Sequence, residues 1–467
     1  MNRNRIRLLA AGTGLLALLL AACSQGSASQ PPSPAGNDTT SSSPAPVTSS
    51  SDTASAATGS AGDETSGASS SAASSAPESS SAPQVTGDIT YMEFSSNGGH
   101  EKDLAAIVDA FEKANPGITV TVQTLPYADY FTKLQTAIAG GTAADAFELD
   151  YQHFVSYSSS GALAELPNVD ATPYKKSLID AFAVDGKQFG LPESFSDVVL
   201  FYNKTLFDAA GVDTPTDDWT WADEKAAAEK LTDKAKGVWG DYQPISYNEF
   251  YKVLAQNGGQ FFNEDKTKAT FDSPAGIEAA HWLTDKSGSV MPTAADGAGT
   301  PDFDTNLFKD GKLAMWHTGI WMFGALADVP FDWDIAVEPG NTTKASAMFA
   351  NAVAVSASSK NAAAAQKWLE FLTSSDAMVN TRLGSGWELP PIGDESKLGA
   401  YLDQPKPANR KAVFDALDNA VLPPTIESQQ EMQDAIDDAL TGAAAGNTTV
   451  EDSLPAAAAT VTSLLGG

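Results

Sequence analysis

The sequence predicts an α/β fold, and three observations carry that prediction. Between residues 89 and 149, short apolar runs with strand character alternate with longer segments of helical periodicity. Five further helical patterns follow along the chain. Aromatic side chains first appear at Tyr91, and all nine tryptophans lie beyond it, so a packed core begins near residue 88.

Ile89–Phe94 reads as a short buried strand. Leu104, Ile107, Val108 and Phe111 share one face of a helix over Leu104–Ala114, which Asn115-Pro116-Gly117 breaks. Ile118–Gln123 alternates with the period of a strand. Tyr130–Ala139 is a second helix, stopped by Gly140-Gly141, and Ala146–Leu149 a third strand. This order implies a parallel sheet with right-handed crossovers. Helical periodicity returns over Trp221–Leu231, Ala275–Thr284, Ala362–Thr373, Arg410–Val421 and Ser428–Ala444.

The first 87 residues belong to no such fold. Arg3, Arg5 and Arg7 precede an uncharged apolar run, Leu8–Leu20, and then Ala21-Ala22-Cys23. A basic start, a short apolar stretch and small residues are the layout of a secretory signal, here residues 1–22. The Leu20-Ala21-Ala22-Cys23 ending resembles the lipobox of bacterial lipoproteins, which implies lipidation at Cys23, the chain's single cysteine. The competing reading is an uncleaved membrane anchor; Gly12-Thr13-Gly14 interrupts its apolar run. From Ser24 to Gly87, serine fills 21 of 64 positions, with Ala, Pro, Gly and Thr most of the rest. Such a stretch buries too little apolar surface to offset its ordering entropy, so residues 23–87 are expected to form a lipid-anchored, disordered tether. As a flexible coil it spans on the order of 40–50 Å.

Charge narrows the function. The 467 residues carry a net charge of −31, and residues 88–467 hold 25 basic against 54 acidic side chains. An acidic surface excludes nucleic acid, which is held by Lys and Arg. Arginine is confined to Arg3, Arg5, Arg7, Arg382 and Arg410, leaving almost nothing from which to build a phosphate clamp. A single cysteine excludes an internal disulfide. His100, His153, His281 and His317 show no paired metal spacing, and no phosphate-binding Gly-x-x-x-x-Gly-Lys loop or Gly-x-Ser-x-Gly nucleophile motif stands in residues 88–467. No metal and no cofactor is expected.

Six stretches in order carry a resemblance. Tyr127-Ala128-Asp129-Tyr130-Phe131-Thr132-Lys133-Leu134 leads to Ala139-Gly140-Gly141 and Asp145. Gly190-Leu191-Pro192 is followed by Leu200-Phe201-Tyr202-Asn203-Lys204 and Ala210-Gly211. Then come Gln256-Asn257-Gly258-Gly259, Phe308-Lys309-Asp310-Gly311-Lys312-Leu313, Gly319-Ile320-Trp321 and Thr449–Leu454. Together they resemble the family-1 extracellular solute-binding proteins of ABC importers, of the maltose-binding type, with Ala144 where the family usually has Pro. The resemblance implies a two-lobed, type II periplasmic-binding-protein-like fold over residues 88–467, lobes joined by two or three crossings. It places lobe one at about 88–193 and 345–383 and lobe two at about 198–336 and 385–467. It further implies an extracytoplasmic, membrane-anchored monomer that hands a carbohydrate to ABC permease subunits and their ATPase.

A sugar offers an apolar C–H face and a ring of hydroxyls, so its sites combine stacked aromatics with acidic and amide acceptors. Trp321, in the family's Gly-x-Trp loop, is the foremost ligand candidate, with Trp316 just upstream and Trp387 in a glycine-flanked loop. Glu193 and Asp197 sit at the expected first crossing. Asp150 and Tyr151 follow the third strand, and Asn97 the first, at the carboxyl edge where open sheets bind ligands. Asn248 and Tyr251 align with a family segment that supplies the cleft. Trp219, Trp221, Trp282, Trp333 and Trp368 read as packing residues. The alternatives are a cell-surface carbohydrate hydrolase, using two of the many acids, and a carbohydrate-binding adhesin with no role in transport.

Overall fold

The computed structural model describes residues 85–466. The signal at 1–22, Cys23 and the tether as far as residue 84 lie outside the described residues. The strands are β1 (Gly87–Glu93), β2 (Ile118–Thr124), β3 (Ala146–Asp150), β4 (Ala183–Val184), β5 (Lys187–Gln188), β6 (Gly190–Asn203), β7 (Met315–Gly319), β8 (Trp333–Ala336), β9 (Ser346–Val355) and β10 (Ala420–Val421). Among the described residues no helix is long and apolar enough to cross a membrane.

The opening units form as their periodicity dictates. Helix α1 (Glu101–Ala114) buries Leu104, Ile107 and Phe111, with Glu101 and Asp103 in its first turn, where negative charge suits the helix dipole. β2 alternates buried Ile118 and Val120 with exposed Thr119 and Thr121, as a strand at a sheet edge must. β3 is buried along its first four residues and lies inside the sheet. Helix α2 (Tyr127–Ala139) and helix α3 (Tyr151–Ser159) complete the units, α3 capped by Asp150, whose side chain accepts the His153 backbone N–H.

The sheet runs β2-β1-β3-β9-β6-β7 and is mixed, where an all-parallel one was expected. β1 pairs parallel with β2 and β3, but β9 inserts antiparallel between β3 and β6. Its sequence, Ser346–Val355, is dominated by alanine and small residues, so it carries little of the β-branched signal by which strands are read. The helix expected over Arg410–Val421 stops at Ala416, and Ala420–Val421 instead pairs with Ser346–Ala347.

β6 organises the molecule. Its first half, Gly190–Asp197, pairs with β9, with an irregularity at Glu193 between Pro192 and Ser194. Its second half pairs with β7 on one side (Val198 opposite Gly319) and with β8 on the other (Asn203 opposite Trp333). Asp150, Asn351 and Ser194 lie at one level across β3, β9 and β6. The carboxyl end of β3 therefore stops level with Ser194, and the carboxyl end of β7 points back to stop level with Val198. Two strand edges thus face each other across four residues of β6, about 13 Å at ~3.3 Å per residue. Ser196 and Phe349, a paired couple, floor the gap.

Candidate functional site

On the first edge, the loop after β1 is held by buried carboxylates. Glu148 of β3 accepts the backbone N–H groups of Phe94 and Ser95, both at 3.0 Å, and the Asn351 amide at 3.4 Å. Glu93 accepts the Ser96 N–H at 2.9 Å and hydroxyl at 2.8 Å, together with the Thr124 hydroxyl. Beside them, on the irregular turn of β6, Glu193 accepts from Arg382 Nη2 at 2.6 Å. Arg382 and the three glutamates are each no more than 1% exposed. Burial raises the Glu193 carboxyl, Arg382 opposes it, and it settles at about 7. Burial, then repulsion from Glu193, pushes Glu148 well above the ordinary carboxyl range.

This cluster keeps unused hydrogen-bonding capacity. Ser95 Oγ, Glu193 Oε2 and Arg382 Nε and Nη1 are buried without a partner. An unpaired buried polar group costs on the order of 1–3 kcal/mol, so four in one place mark where a polar ligand group would be received.

Aromatic surface frames the gap. Among the described residues the exposed large hydrophobic side chains are Tyr127, 41% exposed, and Trp321, 49% exposed. Each follows the carboxyl end of a strand, Tyr127 after β2 and Trp321 after β7. Tyr127 packs edge-on against Phe94 and donates to Asp150 Oδ2 at 2.9 Å. Burial would raise Asp150, but bonds from His153 and Tyr127 hold it below its ordinary value. Trp321 stands edge-on to Phe349, ring centroids 5.8 Å apart. Gly319 lets the ring lie where it does: a Cβ there would stand 1.9 Å from Trp321 Cζ3, so the ring would have to move.

The sequence-predicted residues divide accordingly. Glu193, Asp150, Tyr151, Trp321 and the exposed Asn97 gather at the facing edges. Trp387 joins them indirectly: it is 6% exposed, with its ring under Arg382. Trp316 does not. It is 1% exposed and packs against Phe201 and Phe308, with its N–H on Asp304 at 3.2 Å, because the inward position on β7 buries it in the core. Asp197 is fully buried. Burial raises Asp197 itself well above the carboxyl range. Tyr251 is buried with Val198 and Phe250, while Asn248 lies exposed on the helix Tyr247–Gln256. Sequence reasoning missed Glu93, Glu148, Arg382, Tyr127, Phe349 and Asn351. Arg382 was legible as one of two arginines beyond the tether, and Tyr127 stood in the first matched stretch.

A second charged cluster surrounds His317, the middle residue of β7. Both ring nitrogens of His317 face carboxylates, Nδ1 to Glu338 at 2.8 Å and Nε2 to Glu224 at 3.1 Å. Burial would lower His317, yet these acids and Asp241 raise it well above its ordinary value. Glu224, Asp241 and His317 have metal-like spacing, but the Lys286 ammonium already sits on Glu224 at 2.6 Å and Asp241 at 2.7 Å. The cluster is a structural ion network.

Two sheet edges facing across a shared strand, lined with aromatics and hydrogen-bonding side chains, define a binding protein that encloses a small solute. The chain belongs to the bacterial extracellular solute-binding protein family, whose profile matches residues 97–379. The ABC substrate-binding protein Lmo0181 of Listeria monocytogenes, solved in complex with cycloalternan, has 46% sequence identity, 81% of this chain and 99% of that one being covered, at a TM-score of 0.68. The cyclic α-maltosyl-1,6-maltose binding protein of Arthrobacter globiformis is 25% identical, with 81% and 99% covered and a TM-score of 0.70. The galactooligosaccharide-binding protein of Bacillus subtilis is 26% identical over 399 residues, 82% of this chain and 91% of that protein. The fold is the two-lobed one of these proteins, and the function is that of the solute-binding component of an ABC sugar importer.

Proposed function

We propose that the chain captures a neutral oligosaccharide between the edges headed by Asp150 and Gly319 and delivers it to membrane permease subunits. The observation that carries this reading is the pair of exposed aromatic faces, Tyr127 and Trp321, at either edge. Aromatic faces stack on the C–H surfaces of sugar rings at low entropic cost. Ser95, Glu193 and Arg382 would then meet hydroxyl groups, Arg382 donating and the Glu193 carboxyl accepting or donating. Lobe one is taken as about 88–193 and 345–383 and lobe two as about 198–336 and 385–467. Ser194–Val198 is the span over which they would close. The 46% identity to the cycloalternan-bound protein supports a gluco-oligosaccharide, cyclic ones included.

Binding is favoured over hydrolysis by the relatives, which are solute-binding proteins matched along most of their length. Secretion with lipidation at Cys23 would hold the protein at the outer face of the cell membrane, near its permease. A thermal-shift screen of the full chain over cycloalternan and linear mono- to tetrasaccharides tests the reading. An oligosaccharide that binds the native state alone raises the midpoint. No shift with any sugar would overturn it.

A further inference from the structure

We propose that Trp387 is a positioning residue, holding Arg382 and the loop after β1 in place for the ligand, and is not itself a stacking platform. This rests on the reading of Glu193, Arg382 and Ser95 as ligand-binding groups. The indole's surface is already taken. The Arg382 guanidinium lies 4.1 Å over its ring, and the His100 imidazole stacks parallel to it, 2° off and 5.3 Å between centroids. Its N–H donates to the Ser95 carbonyl at 3.2 Å. Three groups from two separate parts of the lobe-one chain converge on one side chain that is 6% exposed.

The chain is built to make that convergence. The helix Asp376–Ser385 ends on Gly386 in the left-handed conformation, φ 70°. That turn reverses the chain, so Trp387 returns over Arg382, five positions earlier. Two residues on, the Leu389 carbonyl accepts the Phe195 N–H of β6 at 3.3 Å. One short segment therefore touches the loop after β1, the guanidinium and the strand that joins the two edges.

The physical need follows from the arginine. Arg382 makes one close contact, to Glu193, with Glu388 only 3.9 Å from Nη1, while Nε and Nη1 have no acceptor. A flexible side chain fixed at one end would swing those donors through several orientations. A flat indole face removes that freedom by cation–π stacking, while its N–H sets the Ser95 loop in register. Direct stacking and positioning make opposite predictions. A stacking residue acts on ligand through its own surface; a positioning residue acts through Arg382 and the Ser95 loop.

A double-mutant cycle separates them. Titration calorimetry with cycloalternan would compare wild-type full chain, Trp387→Phe, Arg382→Met and the double variant. Trp387→Phe gives the guanidinium a smaller, weaker face and loses the N–H to Ser95; it is expected to weaken binding about tenfold alone and about threefold or less on Arg382→Met, the remainder acting through the Ser95 loop. Equal factors in both backgrounds, or wild-type affinity for Trp387→Phe, would overturn the proposal. Arg382→Met with undiminished affinity would overturn the underlying ligand assignment as well, which keeps the two failures distinct. If Trp387→Phe does not fold, His100→Ala, a change at a part-exposed residue, takes its place in the cycle with the same expectation of coupling to Arg382 and the same overturning result.

Discussion

Replacing Trp321 with alanine should uncouple ligand binding from stability. The indole is 49% exposed and stands edge-on to Phe349. A tryptophan buries roughly 150–250 Å² when fully enclosed, so a sugar covering the open half removes about 100 Å² from water. At ~25 cal/mol per Å², and allowing for the polar part of the sugar, that is about 2 kcal/mol, or roughly a 30-fold loss of affinity. Half of the ring already lies in solvent, so the unfolding midpoint should move by no more than about 2–3 °C. Calorimetric titration with an oligosaccharide and a parallel thermal melt give both quantities. Unchanged affinity would refute the stacking role, and a fall in the midpoint as large as the loss in binding would make Trp321 a packing residue.

Further expectations concern the same framework. Gly319→Ala places a methyl where the Trp321 ring lies, so affinity should fall nearly as far as in Trp321→Ala while the core of β7 stays intact; wild-type affinity, measured by indole fluorescence quenching on ligand addition, would contradict it. Lys286→Met leaves Glu224 and Asp241 buried without their ammonium partner and should cost about 3–5 kcal/mol in denaturant unfolding. Lys176→Met removes only an exposed pair with Asp180 and should cost at most about 0.5 kcal/mol. Stability should also fall as pH rises from about 4.5 to 7. Over that window folded Glu193, with its carboxyl at about 7, keeps a proton that the unfolded chain, at 4.5, has released. Glu193→Gln should lessen that slope in urea midpoints taken at successive pH values, Glu148 and Asp197 keeping part of it, and an unchanged slope would count against it.

The sequence made the opening units legible because each carries one clean period. Leu104, Ile107 and Phe111 mark a helix face, and the alternation from Ile118 marks an edge strand. β9 stayed hidden because alanines pack a strand just as well when the neighbours supply the bulk, and local pattern does not report that. The helix Val450–Leu465 went unread in the same way: its motif residues were noted, but Pro455 sits inside it. At the site, Trp321 and Glu193 were legible as motif residues. Glu93 and Glu148 were not, because a glutamate within an apolar strand declares itself only once β1 and β3 lie side by side. Trp316 fell the other way. It stands close to Trp321 in sequence, but which face of β7 it takes is decided by pairing with β6, where it stands opposite Phe201.

The account stands most directly on one titration. Cycloalternan added to the purified full chain in a calorimeter, with the solution checked afterwards for sugar products, should give saturable binding at one site per chain and leave the sugar intact. Absence of binding by cycloalternan and by linear oligosaccharides alike, or release of shorter sugars, would contradict it.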